Sequence, residues 1–335
     1  MQDDIPALIS KIVPANSQIA PLEAEMWKRY DRFISRRTGD EDPHLQVDSY
    51  HATIEPIDAD KIPLIHELTV GVLWPHRPAD IQLFEKLGDG YLALDEIGRP
   101  LGSAMSFKMA DDFAMLGMMV TQPRLQERGT GQRLLRRMMR DCAGRDLRLS
   151  ATRSGYRLYE SAGFVPVATI WQHQGIAHRV ETPTPVLGLT TERFDVHQLS
   201  EEDVAQIYAV DRTAFGADRS DTIRALLGVS SGTVLRDVTG IRGYALLRKF
   251  GRGKVIGPVV AEDDQTAWQL AAPLLQECEG TFARFDTPVQ SDAFRAQLTN
   301  AGLELFSSVT EMRIGTDRRP KDGLQTFGLA AHSLG

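Results

Sequence analysis

The chain has 335 residues, of which 42% are hydrophobic and 25% charged, and a formal net charge of −7. This length suits two globular domains, and the acidic balance argues against a protein built mainly to coat nucleic acid or an anionic membrane. No stretch has the roughly 18 consecutive apolar residues needed to span a bilayer, the N-terminus lacks a secretory signal pattern, and two cysteines are too few for a disulfide framework or a cysteine metal cage. We therefore expect a cytoplasmic protein with reduced thiols and no metal.

Residues 1–48 predict a helical extension, because Leu22, Met26, Tyr30 and Phe33 recur at spacings of three and four. From residue 49 the pattern becomes denser. A strand and a helix are followed by three strands of an antiparallel meander, whose last strand is "FAMLGMMVT". A loop, the helix "GQRLLRRMMRDCAG", a strand, a short helix and a final strand complete this first part.

Much of the same order recurs over residues 190–315, after a Pro- and Thr-containing linker at 181–189. Cys142 and Cys278 are 136 residues apart, as are Gly144 and Gly280, and the pattern predicts an internal duplication. Residues 316–335 form a C-terminal tail that is apolar enough to pack against the protein.

The loop "QERGTG", residues 126–131, separates a predicted strand from a predicted helix. The first turn of a helix offers free backbone N–H groups and a partial positive charge, and glycine lets an anion approach the backbone closely. The loop therefore suits a phosphate or pyrophosphate, although two glycines can also serve a turn alone. It matches neither a P-loop nor a dinucleotide-binding fold, since the preceding strands are antiparallel.

Two segments together resemble the GNAT superfamily of N-acetyltransferases. The loop matches the family's Gln/Arg-x-x-Gly-x-Gly/Ala pattern at Gln126, Gly129 and Gly131, and "LYESAGF" resembles the second signature at Tyr159, Gly163 and Phe164. The resemblance implies an α/β (α+β) protein with two tandem GNAT-like domains, each a mixed, mostly antiparallel twisted sheet flanked by helices. The catalytic domain would cover 49–180 and a degenerate copy 190–315.

The resemblance also implies roles for individual residues, with acetyl-CoA as co-substrate. Tyr159 would be the catalytic acid that protonates the leaving thiolate, although packing on the sheet is its alternative role. The residues expected to bind the cofactor are Val120, Thr121, Gln126, Arg128, Gly129, Thr130, Gly131, Gln132 and Arg133. Thr152 stands where the family often has an asparagine.

The residues that would contact the acceptor amine are predicted from their position alone, without a sequence motif. Trp74, His76 and Arg77 lie in the variable helix–loop region, where a histidine titrates near neutral pH and an arginine holds a carboxylate. No general base is assigned, because "FAMLGMMVT" has neither an acid nor a histidine; a water chain or a residue of the helix–loop region remain the alternatives.

At an offset of 136, the loop residues of the first copy become Glu262, Asp264, Gln265 and Ala267, and at 139 Tyr159 becomes Leu298. Acids at a pyrophosphate site are unfavourable, so the second copy is expected to be non-catalytic. The leading hypothesis is an acyl-CoA-dependent N-acyltransferase acting on a small primary amine, with a homodimer left open. The alternatives are a non-catalytic acyl-CoA sensor or scaffold, and an interaction protein with both copies inert.

Overall fold

The computed structural model describes residues 19–35, 44–47, 50–125, 129–180 and 195–335. The chain forms two compact units, of which unit 1 holds residues 1–169 and 309–317, and unit 2 holds residues 170–308 and 318–335. Within the described ranges, no helix is both long and apolar enough to cross a bilayer.

Unit 1 is a mostly antiparallel sheet with helices packed on it. Its helices are α1 (Ile19–Ile34), α2 (Ile62–Gly71), α3 (Pro78–Leu87), α4 (Thr130–Asp141) and α5 (Tyr156–Ser161). Its strands are β1 (His44–Val47), β2 (Tyr50–Pro56), β3 (Asp89–Leu94), β4 (Pro100–Met109), β5 (Phe113–Thr121) and β6 (Asp146–Ala151). The strands pair in sequence order, antiparallel up to β5, and β5 pairs parallel with β6.

Unit 2 repeats this plan. The chain enters it through β7 (Val165–Ile176) and continues as β8 (Asp195–Gln198), α6 (Val204–Phe215), α7 (Ser220–Leu227), β9 (Ser230–Asp237), β10 (Gly240–Phe250), β11 (Gly253–Ala261), α8 (Asp264–Gln276), β12 (Phe282–Thr287), α9 (Asp292–Asn300), β13 (Glu304–Ile314) and β14 (Gln325–Gly328). Strands β8 to β11 are antiparallel, and β11 pairs parallel with β12. The predicted meander, duplication and fold class are confirmed.

The two units exchange their last strands. Residues 310–314 of β13 pair with β6 in unit 1, and residues 171–176 of β7 pair with β12 in unit 2. Met312 and Ile314 are accordingly buried in the core of unit 1. The compact units thus depart from the predicted boundaries of 49–180 and 190–315, because each sheet is completed by a strand from the other half of the sequence.

Helix α1 is part of the unit 1 core. Met26 and Phe33 are 2% and 3% exposed and pack with the core residues of the sheet and of α4. Gly163, at φ 100, lets α1 approach closely, since a Cβ there would lie 2.7 Å from the Met26 carbonyl oxygen. Arg136 donates to the Phe33 carbonyl at 2.9 Å and Arg140 to the Ile34 carbonyl at 2.8 Å, so α4 caps the C-terminal end of α1.

A buried ion pair joins the exchanged strand to unit 1. The Arg148 Nε and Glu311 Oε1 atoms are 3.7 Å apart, and the two side chains are 3% and 1% exposed. The Arg148 guanidinium also lies over the Phe113 ring. Removal of the carboxylate would leave a positive charge in the core.

We therefore expect Glu311→Leu to lower the free energy of unfolding by about 3 kcal/mol or more, because breaking a buried pair leaves an uncompensated charge. Glu304→Leu, at an exposed position of the same strand, serves as the control and should have little effect. Urea denaturation measures both variants. Equal, small losses would show that the pair does not hold the exchanged strand.

Candidate functional site

The candidate site is the gap that opens between β5 and β6. The two strands pair over Phe113–Leu116 and Asp146–Leu149, and the described residues of β5 beyond Leu116 pair only with β4. A register shift opposite Ser103–Met105 marks a β-bulge, and Met118 adopts a φ of 48° there. A non-glycine residue in this region is uncommon, and such strain clusters at functional sites. The bulge turns the end of β5 away from β6.

Methionines and leucines line the inner part of this gap. Met105, Leu116, Met119, Met138 and Leu149 surround a narrow cavity of about 10 Å³, with Tyr159 at its wall. A methionine-rich lining is adaptable, because the thioether side chain is flexible and polarisable. The predicted strand residues Val120 and Thr121 lie on β5 just beyond the bulge, where Val120 is buried and Thr121 half-buried.

The start of α4 follows the gap. Gly129 is its N-cap at φ 90, and a Cβ there would meet nothing within 4 Å. A glycine N-cap has no side chain that could accept a hydrogen bond from the first turn. Among the described residues nothing fills the space beside Gly129, and a helix N-terminus of this kind suits an anion.

The other residues predicted to bind the cofactor are not all exposed at the start of α4. Thr130 is buried, and Gly131 and Gln132 lie half-buried in the first turn of α4. Arg133 donates to the backbone carbonyl of His44 at 3.1 Å. Gln126 and Arg128 lie outside the described residues.

Tyr159 is 7% exposed and lies on α5 beside the gap. Its ring makes an edge contact with Phe164, at 6.0 Å between centroids. Burial raises the pKa of the Tyr159 phenol well above its usual range, because the phenolate would lose its hydration. The phenol is therefore a neutral O–H donor at every ordinary assay pH.

Thr152, four residues before α5, has its hydroxyl 3.1 Å from that of Ser154.

Gly155 positions this tyrosine, and the sequence pattern did not single it out. It is the N-cap of α5, and a Cβ there would lie 2.9 Å from the Tyr159 Cε2 atom and 3.6 Å from its hydroxyl. The sequence signal that could have identified Gly155 is its spacing from Tyr159. On a helix, residues four positions apart lie on the same face, so Gly155 is placed beside the Tyr159 ring. The absent side chain makes room for the phenol.

The predicted acceptor residues lie in the loop between α2 and α3. The Trp74 and His76 rings are 5.7 Å apart, and His76 also contacts Phe84 at 5.8 Å between centroids. Arg77 binds the buried Asp80 carboxylate through Nη2 at 2.7 Å and Nε at 3.1 Å. This pair caps α3 and raises the pKa of Arg77, so its guanidinium has a structural partner.

In unit 2 the corresponding gap is occupied by the chain itself. Strand β11 pairs with β12 only at Lys254 and Val255, and its outer part, Val259–Ala261, pairs antiparallel with β14. The backbone N–H of Leu329 donates to the Asp286 carbonyl on β12 at 2.8 Å. The predicted C-terminal tail, residues 316–335, thus includes a segment that lies between the two splayed strands.

Buried contacts fix this segment. A Cβ at Gly257 would lie 2.0 Å from the Leu329 carbonyl oxygen, so glycine is required at this crossing. Arg248 donates to the Ala330 carbonyl at 2.7 Å, and Arg219, which is paired with Asp211, donates to the Leu334 carbonyl at 2.9 Å. Residues 327–331 are all buried.

The loop of unit 1 has no counterpart in unit 2. Seven residues separate the end of β5 at Thr121 from the N-cap Gly129, whereas one residue separates Ala261 from the N-cap Asp263. The offset of 136 that holds for β6 and β12 is therefore wrong across the loop, because the second copy is six residues shorter there. Gly129 corresponds to Asp263, whose carboxylate accepts from the Thr266 N–H at 2.8 Å and closes the helix start.

The comparisons with known proteins agree with this geometry. Two family models, both described as acetyltransferase (GNAT) domains, match residues 82–180 and 207–328. An uncharacterized N-acetyltransferase of Bacillus subtilis (strain 168), YitH, is 26% identical over 238 residues, which cover 69% of this chain and 80% of that protein.

Two solved structures share the fold. A crystal structure provisionally assigned as an acetyltransferase from Pyrococcus horikoshii has a TM-score of 0.68 at 19% identity and covers 87% of this chain and 98% of its own. A tandem GNAT protein from the clavulanic acid biosynthesis pathway has a TM-score of 0.56 at 14% identity and covers 81% of this chain and 100% of its own.

The packing of Gly155 against Tyr159 gives a stability prediction. Gly155→Ala keeps an allowed backbone conformation but forces the ring of Tyr159 to move, and overpacking of this kind costs about 1–3 kcal/mol. Gly71→Ala is the control, because a Cβ at this helical position meets nothing within 4 Å and should be neutral or slightly stabilising. Thermal unfolding compares the two. If both variants melt like the wild type, the ring is not held by this contact.

With two GNAT matches on successive halves of the chain and a splayed pair of strands in each unit, the chain belongs to the GNAT acetyltransferase family, as a tandem protein.

Proposed function

We propose that unit 1 transfers an acyl group, by default acetyl, from acyl-CoA to the primary amine of a small molecule, and that unit 2 is non-catalytic. The observation that carries the proposal is the difference between the two gaps. In unit 1 no described segment pairs with the β6-facing edge of β5 beyond Leu116, and α4 begins at a glycine, whereas β14 covers the same edge of β11 in unit 2.

The residues of unit 1 fit the shape and charge of CoA. The extended end of β5 at Val120 and Thr121 offers main-chain groups to the amide-containing pantetheine arm, as one strand pairs with another. The first turn of α4, from Gly129 to Gln132, suits the pyrophosphate. The apolar side chains of Met105 and Leu116, with Tyr159 beside them, would face the thioester end.

When bound, acyl-CoA supplies a thioester whose carbonyl carbon is open to attack by a neutral amine. The reaction forms a C–N bond, breaks the C–S bond, releases a proton from the amine and places one on the sulfur. Tyr159 holds its proton at the phenolic oxygen and is proposed to donate it to the leaving thiolate. The apolar lining excludes water from this position and so limits hydrolysis.

The acceptor amine is proposed to enter from the side of the α2–α3 loop. Trp74 and His76 supply an aromatic surface there, with His76 packed on Phe84. Because Arg77 is paired with Asp80, its role in holding a substrate carboxylate would require exchange of that partner.

Gly129→Glu tests the cofactor site. A carboxylate at the open helix N-terminus repels a pyrophosphate, so binding of acetyl-CoA should fall at least 100-fold, as measured by calorimetry. Gly98→Glu is a matched control, because Gly98 also has a positive φ, at 79°, and nothing within 4 Å of its missing Cβ. Absence of binding by the wild-type protein would exclude both the enzyme and the sensor hypotheses.

Tyr159→Phe tests the acid. Turnover should fall about 100-fold or more while the affinity for acetyl-CoA stays within about twofold, since general acid catalysis typically contributes that much. The matched control is Tyr156→Phe, one turn earlier on the same helix. Because its pKa is raised, Tyr159 should stay protonated, and wild-type activity should not fall through loss of this proton below about pH 10.

Turnover of the Tyr159→Phe, Tyr156→Phe and wild-type proteins is measured by the release of the free CoA thiol. Cys142 and Cys278 are 1% and 0% exposed, and burial raises the pKa of both thiols, so they should not react with a thiol reagent in the native protein. A Tyr159→Phe enzyme with unchanged turnover would assign the tyrosine a packing role, and a wild type that binds acetyl-CoA without turnover over an amine library would favour the sensor.

A further inference from the structure

A second cavity lies in unit 1, next to the start of α4. It has a volume of about 300 Å³, and three helices form its walls: Arg29, Arg32 and Phe33 come from α1, Gln132 from α4, and Arg157, Glu160 and Ser161 from α5. Neither of the two GNAT-like motifs of the sequence, "QERGTG" and "LYESAGF", includes its arginines. The cavity is much larger than the one beside Tyr159, and most of its lining residues are charged or polar.

The cavity carries positive charge in an acidic protein. Three guanidinium groups and one carboxylate line it, whereas the whole chain has a formal net charge of −7. Arg29 also forms an ion pair with Glu25 at 3.0 Å, and both side chains are about two-fifths exposed. A surface ion pair of this kind is weak, so Glu25 would compete only weakly with a bound anion for the Arg29 guanidinium. Arg32 and Arg157 are exposed and line the same cavity from different helices, and a guanidinium suits a phosphate.

The wall that α1 provides is fixed to the core. Phe33 is buried under α4, its carbonyl accepts from Arg136, and the glycine at position 163 seats the helix backbone closely. The cavity is thus a permanent concavity of unit 1, because α1 could not leave without exposing buried residues and unpairing the buried Arg136.

The position of the cavity selects the kind of anion. Gln132, in its wall, lies three residues after Gly129, within one helical turn of the proposed pyrophosphate position. Beyond its pyrophosphate, CoA carries a phosphate monoester on the ribose 3′ oxygen. A phosphate monoester holds a charge between −1.5 and −2 near neutral pH and three acceptor oxygens, which match arginine donors.

We propose that the cavity between α1, α4 and α5 binds the 3′-phosphate end of CoA through Arg32 and Arg157, so that unit 1 discriminates CoA from dephospho-CoA. This inference rests on the proposed function, since it assumes that the pyrophosphate lies at Gly129–Gln132. It gives the N-terminal helix a part in cofactor recognition: α1 supplies one side of the phosphate site and α5 the other.

The test compares the binding of CoA and of dephospho-CoA by calorimetry, with the full chain at low salt. Wild-type protein should bind CoA about tenfold more tightly than dephospho-CoA, the size expected of charge-assisted hydrogen bonds to one phosphate. The Arg32→Gln and Arg157→Gln double variant should lose most of this ratio by weaker binding of CoA alone. The control is Arg153→Gln, an exposed arginine just before α5 that does not line the cavity.

The outcomes separate the two proposals. Equal affinities of the wild type for the two cofactors, or a ratio that the double variant retains, would overturn the phosphate site and leave the proposed function intact. No binding of either cofactor by the wild type would overturn the proposed function itself. Thermal unfolding of the double variant should match the wild type, because both arginines are exposed; a large loss of stability would instead assign them a structural role.

Discussion

The separation of two parallel strands after one short ladder organises both units. In unit 1 the ladder between β5 and β6 ends at Leu116, and the bulge at Met118 turns the rest of β5 aside. An unpaired strand edge in a protein interior leaves backbone groups without partners, and this is costly. Such an edge is satisfied by water, by a ligand or by another segment of chain.

The two units meet this constraint in different ways. Unit 2 uses its own residues: β14 pairs with β11, Leu329 binds β12, and Arg219 and Arg248 hold the following carbonyls. Burial lowers the pKa of His332 in this segment to about 4, so that the imidazole is neutral. The segment lies between the splayed strands of unit 2 as a bound peptide would. Among the described residues of unit 1, the end of β5 beyond Leu116 pairs only with β4, and Gly129 stands where unit 2 has the helix cap Asp263.

Local sequence patterns predicted the elements well. The meander, helix α4 and the position of Tyr159 follow from short turns, amphipathic spacing and the two motifs, all of which lie within a few tens of residues. The strand exchange did not follow, because β7 and β13 have similar patterns and nothing in either strand specifies which of two similar sheets it completes. The packing of α1 on Gly163 and the closure of unit 2 by β14 also depend on contacts between residues far apart in sequence. The uniform offset of 136 failed at the loop because the copies differ there in length.

The exchange of β13 has a consequence for how the chain folds during synthesis. Unit 1 contains the beginning of the sequence, yet its sheet gains the strand that bears Met312 and Glu311 only after nearly all of unit 2 has been made. Domains that are contiguous in sequence fold one after another as they leave the ribosome. Here the edge of β6 has no β13 partner until residues 310–314 have been made. We therefore expect a fragment that stops after the first copy to lack the strand that covers β6 and to aggregate through that edge.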